Sequence, residues 1–333
     1  MRKPPVPYVS REIQLAARPQ GMPQPGDFRL VERELPDAGE GQVVVRNLLM
    51  SVDPYMRPRL AEAQALDVAM DGGAIGRVVQ SRNPAFAEGD MVRNGQGFRE
   101  YFVSDGRGLQ PLQRDPALPL SVYMHALGGT GFTAYGGLLE IGKLKDGEQV
   151  FVSTAAGAVG SVVAQIAKIK GCYVVGSTGA DDKVRWLLDE AGIDVAINYK
   201  RQPIGKAVEA ATPKGIDVYF DNVGGDHLDA ALRRMNSLGR IAVCGMISSY
   251  NGQPAPVTGL SAIIYSRVNI RGFVGSDFMH LYDQFRADMT GWLKDGRIKH
   301  QETVFEGVDQ APAAFIGLMN GANSGKMLVK LAD

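Results

Sequence analysis

From Gln149 onward the chain alternates short apolar strands with helices, and the unit that opens this stretch, VFVSTAAGAVGSVVAQIAKIK at Val150 to Lys170, constrains everything after it. Val150 to Val152 read as a buried strand. Ala155 to Gly160 hold the glycines, and Val162, Val163, Ile166, Ala167 and Ile169 recur at helical spacing. A strand that runs through a glycine turn into a helix lets backbone N–H groups approach a diphosphate, and the helix N-terminus adds unpaired donors and a favourable dipole. The motif here is A-x-G-x-x-G, with Ala155 in first place and Gly157 and Gly160 in second and third. Alone, such a turn fits any tight strand-to-helix junction, so its meaning rests on the elements after Lys170.

Those elements keep the rhythm. CYVVGST (Cys172 to Thr178) is a strand, Asp182 to Ala191 a helix closed by Gly192, and DVAINY (Asp194 to Tyr199) a strand. A helix near Ile204 to Ala211, a strand Gly215 to Asn222, a helix Leu228 to Met235 and a strand Gly239 to Gly245 come next. Leu260 to Ser266 reads as a short helix and Asn269 to Gly275 as a sixth strand. Six strands joined by helices imply a doubly wound parallel sheet of the Rossmann kind, which turns the glycine motif into a dinucleotide site. Residues 1 to 128 read differently, as a mostly β domain around a partly open barrel, with strands starting at Val43, at Gly73 and within Gly89 to Ser104. The helix Leu281 to Lys294 and the strand Lys326 to Leu331 come after the sixth strand, have no place in a six-stranded fold and are expected to return to the first domain. The expected boundaries are 1–128 with 300–333, and 129–299.

Lys plus Arg and Asp plus Glu both total 36, with the charges scattered, so no net field draws the chain to nucleic acid or an anionic membrane. No apolar run is long enough to span a bilayer, and the N-terminus lacks an apolar signal core; cytoplasmic residence is the expectation. Two cysteines, Cys172 and Cys244, and four histidines without ligand spacing build neither a disulfide framework nor a zinc site, so no metal is expected. No G-x-S-x-G elbow offers an acyl-transfer nucleophile. Hydride transfer remains, with a dinucleotide supplying the chemistry and a donor steadying a developing oxyanion. The strand ending Gly176-Ser177-Thr178-Gly179 lacks the acidic residue of an NAD site, and Lys183 comes soon after it, which favours NADPH; Asp181 or Asp182 taking the acid's place is the alternative. Among the tyrosines, Tyr55, Tyr199, Tyr250 and Tyr265 are candidate donors.

The stretches RPQGMPQPGDF, SVDPYMRPR, AAGAVGSVVAQIAKIKGCYVVGSTGADDK, INYK, GIDVYFDNVGG, RIAVCGMISSYN, IRGFVG and NSGKMLVKL together resemble one group over almost the whole chain. It is the zinc-independent branch of the medium-chain dehydrogenase/reductase superfamily: NADPH-dependent alkenal double-bond reductases, leukotriene B4 dehydrogenase/prostaglandin reductases and curcumin reductases. The resemblance implies a GroES-like first domain, a Rossmann second domain, a homodimer, and reduction of the carbon–carbon double bond of α,β-unsaturated aldehydes or ketones. It implies that Gly157, Ala158, Val159 and Gly160 hold the diphosphate and that Lys183 and Tyr199 bind the 2′-phosphate side. Asn222, Cys244, Gly245, Ile247, Ser248 and Tyr250 would line the ribose and nicotinamide. Phe273, Val274 and Gly275 would lie at the nicotinamide end, and Asn323 would reach it from the C-terminal return. Tyr265 would help polarise the substrate carbonyl together with a cofactor ribose hydroxyl, and Tyr55 would line the acyl pocket. Two departures stand out: Gly72-Gly73-Ala74 where plant relatives carry an aromatic, and Met246 where the group commonly has a small residue. A quinone reductase of the zeta-crystallin type and a non-catalytic NADPH sensor are the rival readings. Ser248 to Leu260, rich in Gly and Pro, is expected to act as a mobile cover.

Overall fold

The computed structural model describes residues 8–252 and 255–333. Two compact units emerge: one up to Met124 completed by Glu302–Asp333, the other His125–Gln301.

In the first unit β1 (Tyr8–Leu15) and β2 (Phe28–Leu35) form an antiparallel ribbon. The larger sheet begins with β3 (Val43–Ser51), which leads through α1 (Met56–Ala61) to β4 (Ala74–Ser81), β5 (Met91–Asn94), β6 (Tyr101–Ser104) and β7 (Gln110–Pro111). In the second unit α2 (Gly129–Gly136) precedes β8 (Gln149–Val152), α3 (Gly160–Ile169), β9 (Tyr173–Thr178), α4 (Asp181–Asp189) and β10 (Val195–Asn198). Then come α5 (Ile204–Ala211), β11 (Ile216–Asp221), α6 (Gly225–Leu232), β12 (Met235–Val243), α7 (Ala262–Tyr265), β13 (Asn269–Gly272) and α8 (Tyr282–Lys294). α8, expected to return to the first unit, stays in the second, and the chain re-enters the first with β14 (Glu302–Glu306), α9 (Ala311–Met319) and β15 (Lys326–Lys330). β15 pairs antiparallel with β3, and the first unit's sheet runs β14-β15-β3-β4-β5-β7, with β6 on β3.

The second unit's sheet is parallel throughout, in the order β10-β9-β8-β11-β12-β13. Its central strands are apolar without alternation because both faces are covered: Val150, Phe151, Val152, Val174, Val218, Tyr219 and Phe220 are all buried. The order reverses between β8 and β11, and in such sheets ligands bind beyond the carboxyl ends of the strands at that point. In the first unit the returning β15 and α9 bring Met327, Val329 and Phe315 into one core with Met50, Val52, Met56, Leu60 and Phe98. Each fully buried side chain of this size contributes about 1.5–3 kcal/mol, so the C-terminal return is integral to that unit.

Three details depart from the sequence reading. The helix expected at Leu228 to Met235 starts earlier, at Gly225, because Asp221 Oδ1 accepts the N–H groups of Val223 and Gly224 and turns the chain through Gly224 and Gly225, both at positive φ. Met235 opens β12 instead of closing the helix. The sixth strand ends at Gly272, and Gly275 begins a 3-10 turn whose Asp277 carboxylate accepts the N–H of Val274. The division between units falls after Met124 and Gln301, where the sequence placed it at 128 and 299.

Candidate dinucleotide site

At the end of β8 the chain turns through Thr154, a β-branched residue at positive φ, and re-enters a helix at Gly160. Such a conformation is costly for threonine and marks a turn held by its surroundings. Gly157 N–H donates to the Thr154 carbonyl at 2.9 Å. A Cβ on Gly160 would lie 2.2 Å from that same oxygen, so that position admits no side chain without backbone movement, and one on Gly157 would crowd Thr154 Cγ2 at 2.9 Å. Ala155 in place of the first glycine has a visible accommodation: in the adjacent strand β9 the residue facing it is Gly176, whose Cβ would come within 2.6 Å of the Ala155 methyl. The two positions exchange one methyl group. His125, fully buried, sets its Nε2 3.0 Å from the Ala158 carbonyl and, since a carbonyl only accepts, donates a proton there to hold the turn. Sequence reasoning passed over His125 because it lies outside the motif.

The end of β9 carries cations. Lys183 is at the third position of α4, partly buried, and its ammonium is held below the usual lysine range by that burial first, with Lys200 adding repulsion against an opposing Asp182. Tyr199 and Lys200 lie over Gly179: an added Cβ there would be 3.1 Å from Tyr199 Oη and 3.2 Å from Lys200 Cε. The ring of His227 supports Tyr199 edge-on at 5.0 Å, and His227 is itself bonded through Nδ1 to Asp226. Two lysines and a phenol thus gather at one strand end, where a phosphate would relieve their repulsion. Beside them Asp181 is engaged within the fold: Asn198 donates to it at 2.6 Å and Arg201 pairs with it. Lys200 was missed in sequence because it belongs to the loop after the next strand and reaches this corner only in the fold.

The floor of the site is a hydrogen-bonded lattice around Asp221 and Ser153. Asp221 Oδ1 accepts from Tyr219 Oη at 2.6 Å and from the backbone of Val223 and Gly224. Asn222 donates its backbone N–H to Ser153 Oγ at 2.9 Å and its amide to the Ser153 carbonyl at 2.7 Å, tying the β11 turn to the β8 turn. The segment after β12 is laced onto the same turn: Cys244 N–H donates to Asp221 O, Ile247 N–H to Asn222 O, and Ser248 N–H and Oγ to Val223 O. Tyr250 Oη closes over Gly245, 3.4 Å from where a Cβ would be. Of the predicted residues, Asn222, Cys244, Gly245, Ile247 and Ser248 therefore share this network, Tyr250 closes on Gly245, and the Gly157–Gly160 turn starts from Thr154 beside Ser153. Burial first, then Asp221, pushes the Cys244 thiol up to about 12, and burial also raises Cys172, so neither is a thiolate nucleophile at neutral pH. Asp221 and Ser153 were legible as strand ends but not as the hub.

The remaining predicted residues are placed differently. Phe273 spends its ring on packing, edge-on to Phe220 at 5.9 Å and beside Phe278, with Gly137 making room, so it offers a ligand only its backbone along with Val274 and Gly275. Tyr265 ends α7 and is 82% exposed. Tyr55 and Asn323 belong to the first unit. Tyr55 precedes α1, and its phenol is pushed up to about 12 by burial first and then by Asp53. Asn323 is buried and its amide donates to Gly325 O at 2.7 Å. Of the expected cover, Ser248 to Leu260, residues Gln253 and Pro254 lie outside the described residues. Among the described residues no group of three or more His, Cys, Asp or Glu is placed to hold a metal ion, and no helix is long and apolar enough to cross a membrane.

Comparison with known proteins gives consistent relatives. A family described as the N-terminal domain of oxidoreductase matches residues 11–112, and one described as zinc-binding dehydrogenase matches residues 158–294. The chain is 38% identical to the NADPH-dependent curcumin reductase of Escherichia coli, covering 97% of each chain. It is 40% identical to the NADP(+)-dependent 2-alkenal reductase of Nicotiana tabacum, covering 94% of each. Among solved structures, CurA of Vibrio vulnificus in complex with NADPH superposes with a TM-score of 0.92 at 37% identity, covering 97% of this chain and 99% of that one.

Proposed function

Because the chain belongs to the zinc-independent, NADP-dependent double-bond reductases of the medium-chain dehydrogenase/reductase superfamily, we propose that it reduces the carbon–carbon double bond of α,β-unsaturated aldehydes and ketones with NADPH. The observation that carries this reading is the convergence of a side-chain-free turn, a lysine pair and the Asp221 lattice at one end of the parallel sheet. When bound, NADPH would supply a hydride to the substrate's β-carbon, and water or a nearby phenol would protonate the α-carbon of the resulting enolate. Gly157 to Gly160 cradle the diphosphate, Lys183, Lys200 and Tyr199 take the 2′-phosphate, and Asn222 with Cys244 to Tyr250 form the floor. Tyr265 donates its O–H to the carbonyl oxygen, where negative charge gathers as the β-carbon accepts hydride. Tyr55 lines the acyl part of the substrate.

NADPH consumption measured with an alkenal, a long-chain enone, a quinone and a saturated aldehyde tests this. The alkenal and the enone alone are expected to turn over, and Tyr265→Phe is expected to lower kcat about tenfold to a hundredfold, in the range of a lost oxyanion donor or general acid, with KM for NADPH unchanged. Quinone turnover without enone turnover would replace the reading with that of a quinone reductase. NADPH binding without turnover would replace it with a sensor.

A homodimer formed through β13 belongs to the same proposal. β13 is the edge of its sheet, and Leu260, Ile264 and Val274, on the segments flanking it, are at least half exposed. An open edge beside exposed apolar side chains invites a second strand. Light scattering should give twice the chain mass, and Ile264→Glu should give the monomer; a wild-type monomer at micromolar concentration would refute the dimer.

A further inference from the structure

A lysine in KMLVK, the most apolar strand of the C-terminal return, calls for a partner when it is buried, since burying an ammonium without one is prohibitive. Lys326 is 1% exposed, and its Nζ donates to the Val52 carbonyl at 3.0 Å and to Asp53 Oδ1 at 2.7 Å. The other Asp53 oxygen accepts from Ser51 Oγ, and the Asp53 carbonyl accepts Met56 N–H at 3.1 Å as α1 begins. Tyr55 lies between those two ends. On the lysine side, Gly325 turns at positive φ, and its carbonyl holds the Asn323 amide. α1 is fastened further on: Arg57 donates to the Gly21 carbonyl at 2.7 Å, and Arg18 to those of Leu60 at 3.0 Å and Gln64 at 3.2 Å.

Apolar side chains of similar volume commonly hold such a junction as well as a buried ion pair does or better, so stability alone does not account for this one. What a pair with fixed acceptors adds is a single arrangement of the backbones that carry it. We propose that the Asp53–Lys326 pair is a positioning clamp for the substrate site, fixing the Tyr55 loop to the turn that bears Asn323. The proposal rests on Tyr55 lining the substrate of the enone reduction, and assigns a function to two residues of the SVDPYMRPR and NSGKMLVKL stretches that neither the cofactor nor the hydride step uses.

The test is Lys326→Met, alone and with Tyr55→Ala, read by KM for the enone and by NADPH fluorescence titration. Lys326→Met should raise KM for the enone at least tenfold and leave the NADPH Kd within twofold. In the Tyr55→Ala background the same change should add less than twofold, because groups acting through one another are not additive. If Lys326→Met does not fold, Asp53→Asn with Lys326→Met removes the stranded carboxylate and carries the same expectations. Full additivity with Tyr55→Ala, or an unchanged KM in a folded variant, would overturn the clamp. Should the wild type turn over quinone and no enone, enone reduction fails as the reaction, and the coupling between Lys326 and Tyr55 is read on the quinone KM instead.

Discussion

Gly160→Ala should leave no NADPH binding measurable at a hundred times the wild-type Kd. The added methyl would sit 2.2 Å from the Thr154 carbonyl oxygen and 2.9 Å from Ala155 Cα, both backbone atoms that no rotamer change can move aside. Relief requires the turn to open, which would pull the first helical N–H groups from the diphosphate proposed to bind there. Overpacking against backbone costs about 3 kcal/mol, which for a unit of this size lowers Tm by about 6–12 °C. Gly205→Ala is the control. It lies in α5 with nothing within 4 Å of the added carbon, so the same substitution there should be neutral or slightly stabilising. Binding retained by Gly160→Ala in a folded protein would place the diphosphate elsewhere.

Removing Lys183 should change which nicotinamide cofactor the protein prefers. A charge-assisted hydrogen bond to phosphate is worth about 1.5–3 kcal/mol, so Lys183→Ala should raise KM for NADPH about 10- to 150-fold, while KM for NADH, which lacks that phosphate, stays within about twofold. Lys200→Ala should act in the same direction, and the double variant should cost at least the product of the two, since removing Lys200 alone relieves the repulsion it exerts on Lys183. Equal losses with both cofactors would show that the lysines serve the fold or a common part of the nucleotide. The acidic alternative raised by the sequence named Asp181 or Asp182: Asp181 is engaged by Asn198 and Arg201, and Asp182 is exposed beside Lys183.

The parallel sheet was readable in the sequence because its strands are buried on both faces, so Val150 to Val152 and Val218 to Phe220 appear as unbroken apolar runs. The glycine turn was readable for a similar reason, since only glycine fits at position 160. The start of α6 was not, because it depends on a side chain, Asp221, reaching forward to cap a turn that composition alone marks as loop. Lys200 escaped notice because its partner Lys183 lies across two strands. His125 and Lys326 escaped for another reason: a lone histidine before a glycine cluster and a lysine inside an apolar strand carry no local signal, and their meaning is the atom they meet in the fold, Ala158 O in one case and Asp53 in the other. Tyr265 was singled out among the tyrosines through resemblance alone, and its exposure leaves its orientation to whatever binds beside it.

The return of β15 to β3 also sets a timetable for biosynthesis. Asp53 and Lys326 are 273 residues apart, so at ribosomal rates of roughly 5–20 residues per second the carboxylate leaves the ribosome about 14–55 s before its ammonium is made. The nucleotide-binding unit is contiguous in sequence and can close during that interval. The first unit cannot, because Met327, Val329 and Phe315 are still missing from its core. A nascent chain therefore gains its cofactor fold first and its Tyr55 loop last, and throughout the wait the Leu49–Ser51 end of β3 lacks the strand that pairs with it.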